Sequence, residues 1–178
     1  MRETVAPAGR HAIGISIHTG WAACVVVGGS STKPEIVANE VIEMLGDSER
    51  FCFHMAAEMT RPAAEKWLAR VREKALANAR RALAPLVAKE VAVCAIVAKD
   101  RDPGDLDEIF ASHPRIHTAE GCFYRDVLRD ACAVPVHFVP PASLDPSRVG
   151  KLATSPWRRD QKLAALAAWT VMGRRNLE

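Results

Sequence analysis

Two short apolar runs that meet at a glycine-containing turn stand out near the start of the chain, in His11 to Gly29 (HAIGISIHTGWAACVVVGG). This pattern predicts a β-hairpin. Alternation along the first run sends Ile13, Ile15 and Ile17 to one face and Gly14, Ser16 and His18 to the other. The second run, Ala22 to Val27, is apolar without interruption, as expected of a strand covered on both sides. A turn by composition at Gly28 to Pro34 and a run from Glu35 to Met44 then predict a third antiparallel strand.

Beyond the polar loop Gly46 to Arg50, the segment Phe51 to Met59 suits either the end of a strand or the approach to a helix. From Arg61 the spacing becomes helical. Thr60 is a candidate N-cap, Pro62 is tolerated in the first turn, and Leu68, Val71, Ala75, Leu76, Ala79 and Leu83 form one apolar stripe. Lys66, Arg70 and Lys74 make a basic row that reads as a solvated face. Pro85 is expected to end or kink this helix.

Val91 to Ala98 (VAVCAIVA) predicts a buried central strand, with Asp100 just beyond its C-terminal end. Asp105 and Glu108 fit a capping box for a short helix, and Thr118 is a candidate cap for a further helix to about Ala133. Pro135 to Val139 reads as a last short strand. Ser155 and Pro156 open a terminal helix reaching about Met172. The order predicts an α/β fold with a five-stranded mixed sheet: three antiparallel strands, then helix-linked parallel strands, with helices on both faces.

Length and composition fit this picture. The chain has 178 residues, 49% of them hydrophobic, enough for one domain with a full core. That domain is expected to span residues 1–176, with Leu177 and Glu178 read as a cloning scar. A net charge of +3 is weaker than that of a dedicated nucleic-acid binder, although phosphate contacts remain open to it. The five cysteines include no CxxC pair and read as reduced core residues, not as a disulfide frame or zinc site. No apolar run is long enough for a membrane span and no signal-peptide core is evident, so a cytoplasmic protein with no membrane partner is expected.

In element order the chain resembles the ribonuclease H-like superfamily. Its hairpin resembles the Holliday-junction-resolvase branch, whose first strand ends in Gly-Ile-Asp and whose second often opens with Thr-Gly-Trp. Gly14, Ile15 and Ser16, then Thr19, Gly20 and Trp21, stand at these places, and RRDQKLAALAAW around Asp160 echoes the last helix. The resemblance implies clustered carboxylates holding two divalent ions for phosphodiester cleavage. Carried over residue by residue, the first acid becomes Ser16, which cannot bridge metals. Asp100 and Asp160 can meet two later positions, while Leu163 or Ala164 replaces the remaining acid.

Two functional classes follow from that pattern. The favoured one is a binding or scaffold domain with a degenerate carboxylate centre and no cofactor, its partner being nucleic acid or another protein. The alternative is a nuclease or phosphotransfer enzyme using Mg²⁺ or Mn²⁺ through a shifted set, Asp100, Glu120 and Asp160. A different polar site forms if His18, His117, Glu120 and Asp160 converge at the strand ends, next to the helix N-termini expected near Thr118 and Ser155, where an anion would be received. The plainer reading makes Glu120 a first-turn acid of its own helix and His18 a turn residue.

Tyr124, Arg125 and Arg129 are candidate contacts to phosphate or base. His137 is expected to be half-buried and satisfied, and Trp21, Trp67, Trp157 and Trp169 to pack under helices. The IHTG turn, Ile17 to Gly20, also resembles the phosphate-binding hairpin of actin-like ATPases and sugar kinases. That turn normally carries an aspartate before it, and the ATP site needs a second domain to close over the nucleotide, for which one domain of this size is expected to leave little room. No Walker motif and no G-x-S-x-G elbow occurs.

Overall fold

The computed structural model describes residues 11–30, 32–151 and 157–174. Strands β1 (His11–Ile17), β2 (Trp21–Gly29) and β3 (Pro34–Glu43) are followed by helices α1 (Cys52–Ala57) and α2 (Arg61–Val87). Then come β4 (Val91–Val97), α3 (Leu106–Phe110), α4 (His113–Ala131), β5 (Val136–Val139), two 3₁₀ turns and α5 (Arg159–Arg174). One five-stranded sheet results, in the order β3-β2-β1-β4-β5. β1 pairs antiparallel with β2 and β2 with β3, whereas β1 with β4 and β4 with β5 are parallel. This is the predicted mixed sheet, with β4 inside it and beside β1.

The alternation along β1 divides the core. Ile13 and Ile15 join the cluster under α2 and α4, which also holds Cys24, Val71, Leu83, Cys94 and Tyr124. Ala12 faces the opposite cluster, built with Val25, Val27, Val93 and Ala95 against the alanine-rich side of α5. Gly14 lies on that second face and permits an unusually close approach. A Cβ placed there would fall 1.8 Å from the Ala164 carbonyl oxygen of α5. The hairpin turn uses Gly20 at φ +88, a conformation that suits glycine, and closes with the His18 N–H donating to the Trp21 carbonyl at 2.9 Å.

Several helix boundaries differ from expectation. Phe51 to Met59 resolves its ambiguity as α1. Thr60 is at the N-cap of α2 but its side chain makes no capping bond, and α2 continues past Pro85 to Val87. The Asp105–Glu108 capping box of α3 is present in both directions. Thr118 caps nothing: α4 begins at His113, after Ser112 and with Pro114 in its first turn, and the Thr118 hydroxyl donates to the Pro114 carbonyl inside the helix. Ser155 and Pro156, like Leu177 and Glu178, lie outside the described residues. No described helix is long and apolar enough to cross a membrane.

Candidate functional site

The C-terminal ends of β1 and β4 open into a cleft of about 370 Å³ between the hairpin turn and α4. His18 and Thr19 line it from the turn, Lys99 and Arg101 from the loop after β4, and His117, Glu120 and Arg125 from α4. His18, His117 and Glu120 therefore share one cleft, while Asp160, the fourth residue of the convergence reading, is not among its lining residues. Asp160 reaches the same end of the sheet from α5. Its Oδ1 lies 2.9 Å from His18 Nε2 and accepts from the Ser16 hydroxyl at 3.3 Å.

Backbone geometry explains this three-residue contact. Ser16 and His18 follow Gly14 on the same face of the strand, and Asp160 lies one helical turn before Ala164, the residue against which Gly14 packs. Ser16 is only 4% exposed, so its hydroxyl needs the partner that Asp160 supplies. The His18 ring stacks on Trp21 at 4.2 Å between centroids and 1° between planes. Trp21 thus forms a flat aromatic pair with His18 at the turn and lines a pocket with Asp160 and Gln161 of α5. Trp67, Trp157 and Trp169 do pack against the core clusters.

Glu120 is not a first-turn acid. It sits well inside α4, 2% exposed, and points at α1. Its Oε1 is 2.9 Å from His54 Nδ1 and accepts the His54 backbone N–H at 3.4 Å. His54 in turn stands among His113 and His117, and one ring nitrogen from each of the three lies within 4.8 Å of the others. The helix N-terminus expected near Thr118 is displaced to His113, so the cleft is lined by the body of α4 and not by its first turn.

The remaining candidates separate. Asp100 is exposed after β4 and is not among the residues lining the cleft. Arg125 lines it, with its guanidinium held by Asp126 at 3.1 Å and placed 5.8 Å from the Phe138 ring centroid. Arg129 pairs with Asp126 and Asp130 and lies outside the lining. Tyr124 is buried at 1% exposure, and its hydroxyl donates to the Arg50 carbonyl at 2.6 Å, which braces the fold at the cleft wall that Tyr124 also lines. Burial pushes its phenol pKa far up. His137 is exposed on β5, not half-buried. The five cysteines are free, as expected.

Sequence reasoning missed His54 and His113. The His113–His117 spacing, i and i+4, was a readable signal for two imidazoles on one helix face. His54 carried none, because only the fold brings α1 to α4.

No protein-family model and no curated protein matches this sequence. Among solved structures, the chain is similar to T. thermophilus RuvC in complex with a Holliday junction substrate, at TM-score 0.56 and 12% identity, covering 94% of this chain and 96% of that one. It is also similar to a second Thermus thermophilus RuvC structure, at TM-score 0.52 and 14% identity, covering 93% and 96%. The protein has a ribonuclease H-like α/β fold, similar to that of these RuvC structures. Identity this low carries the architecture and leaves the activity to the residues themselves.

Proposed function

We propose that this protein is a ribonuclease H-like domain that binds phosphate-bearing nucleic acid without cleaving it by the two-metal route. One observation carries the reading. Where the resemblance calls for a metal-bridging acid at the end of β1, Ser16 stands instead, and it donates to Asp160, whose same oxygen also faces His18 Nε2. A serine hydroxyl supplies no negative charge for a hard divalent ion, and the neighbouring carboxylate already has protein partners.

The binding half of the proposal draws on the cleft wall. Lys99, Arg101 and Arg125 set three cations around one acid, Glu120, which suits an anionic backbone. The stacked His18–Trp21 pair at its edge offers an aromatic surface for an unpaired base.

The test uses the full chain with labelled four-way-junction and duplex DNA, each with Mg²⁺ or Mn²⁺. Binding that weakens with rising salt, and no cleavage above background, is the expected result. Lys99→Ala with Arg101→Ala should weaken binding and flatten its salt dependence. Metal-dependent cutting that disappears on Asp100→Asn or Asp160→Asn would overturn the proposal and favour the shifted carboxylate set.

A further inference from the structure

We infer that His54, His113 and His117 form a binding site for a divalent transition metal of the zinc type, with Glu120 as the group that orients His54. The three imidazoles come from two elements. His113 and His117 are one turn apart on α4, so their rings project from the same face. His54 faces them from α1. Ring centroids are 5.2 Å apart for His54 and His113, 4.7 Å for His54 and His117, and 4.5 Å for His113 and His117.

The distances approach those of ligands around one small ion. Tetrahedral zinc with bonds of about 2.0–2.1 Å to nitrogen places its ligand atoms roughly 3.3 Å from one another. His54 Nε2 and His113 Nε2 are 3.4 Å apart, and ligand atoms of all three residues lie within 4.8 Å. The third nitrogen needs only a small side-chain adjustment, within reach of the exposed rings on α4.

Glu120 gives the cluster its chemical direction. A carboxylate only accepts, so the proton of the His54 ring sits on Nδ1, where Glu120 Oε1 takes it at 2.9 Å. That leaves Nε2 of His54 with its lone pair toward His113. A histidine whose far nitrogen is held by a buried carboxylate is the usual second layer of a metal site, because the carboxylate fixes the tautomer and raises ligand basicity. Glu120 is only 2% exposed, so its carboxylate is held against His54 at the base of the cleft.

Three nitrogen ligands favour zinc, copper, nickel or cobalt over magnesium and manganese, which require oxygen. His113 and His117 are exposed, so a fourth position faces solvent. His117 also lines the cleft beside His18, which places an ion held here at the cleft wall. Cys52 is no competing ligand: it is buried and is not one of the clustered residues.

The site is tested by calorimetric titration of the metal-free full chain with Zn²⁺ and, separately, Mg²⁺, and by the visible spectrum with Co²⁺. One Zn²⁺ per chain, no response to Mg²⁺ and a four-coordinate Co²⁺ spectrum are expected. Glu120→Gln should weaken Zn²⁺ by about 10- to 100-fold. His54→Ala should weaken it further, and His113→Ala with His117→Ala should abolish it. Both α4 histidines are exposed, so thermal melting of that double variant should match the wild type. His137→Ala should bind normally. Absence of stoichiometric Zn²⁺ binding to the wild type overturns the inference, and so does unchanged affinity in His54→Ala, which would reduce the site to a surface pair on α4.

Discussion

Ser16 donates its hydroxyl to Asp160 at 3.3 Å across the gap between β1 and α5, and His18 closes on the same carboxylate oxygen at 2.9 Å. An acid placed at position 16 should therefore create a demand for a metal. Ser16→Asp would place two carboxylates together at a position only 4% exposed. Without metal the variant is expected to lose about 1–3 kcal/mol of stability. Added Mn²⁺ should raise its melting temperature far more than that of the wild type. Equal Mn²⁺ responses in the two proteins would show that position 16 does not face a metal-sized gap.

Tyr124 supplies a second, purely structural test. Its buried hydroxyl donates to the Arg50 carbonyl, tying α4 to the loop before α1. Tyr124→Phe leaves that carbonyl without its partner and should cost about 1 kcal/mol in urea denaturation, with the denaturant slope unchanged. A change below measurement error would mean that water replaces the bond freely.

Acid sensitivity should arise partly at Asp130. Hydrogen bonding from Arg129, aided by Arg72, lowers its carboxyl from the ordinary 3.8. A depressed carboxylate contributes stability that is fully present above the unfolded value and is lost as pH falls through the folded value. Asp130→Asn should therefore be less stable than the wild type at about pH 7, with the difference shrinking toward about pH 3. A difference that stays constant across that window would exclude the charge as its source.

Gly14→Ala tests the seat of α5. The added methyl would meet the Ala164 carbonyl oxygen at 1.8 Å and the Ala168 nitrogen at 2.9 Å, both main-chain atoms that cannot rotate away. The loss should reach or exceed the upper end of the roughly 1–3 kcal/mol usual for overpacking. Thermal melting with near-ultraviolet circular dichroism would detect it, and a melt equal to that of the wild type would show that α5 is free to lift.

The fold was legible in the sequence because each of its strands announces itself locally. The uninterrupted apolar runs Ala22–Val27 and Val91–Val97 mark the covered interior of the sheet, and the alternation Ile13, Gly14, Ile15, Ser16 assigns both faces of β1. Helix starts were harder. Thr118 followed by Glu120 imitates a cap and its first-turn acid, but Ser112 with Pro114 supplies the real start. That single displacement turns Glu120 from a surface acid into a buried partner of His54. His18, His117 and Glu120 do share a cleft at the ends of β1 and β4, although the helix start near Thr118 on which that expectation leaned is displaced to His113. The meeting of His54 with His113 was not legible, because no local pattern encodes which helix α1 will touch.

The contact of Gly14 with Ala164 makes the distance between position 16 and position 160 a property of the main chain. With no side chain between strand and helix, α5 rests at a fixed height, and the residue one turn earlier hangs at a set gap above the residue two places along the strand. Exchanging the side chains at 16, 18 or 160 should change what the gap holds more than its width. An acid pair there would grip an ion, whereas the serine, histidine and aspartate now present fill it with their own hydrogen bonds. The fold thus behaves as a rigid socket whose contents are written in three exchangeable positions.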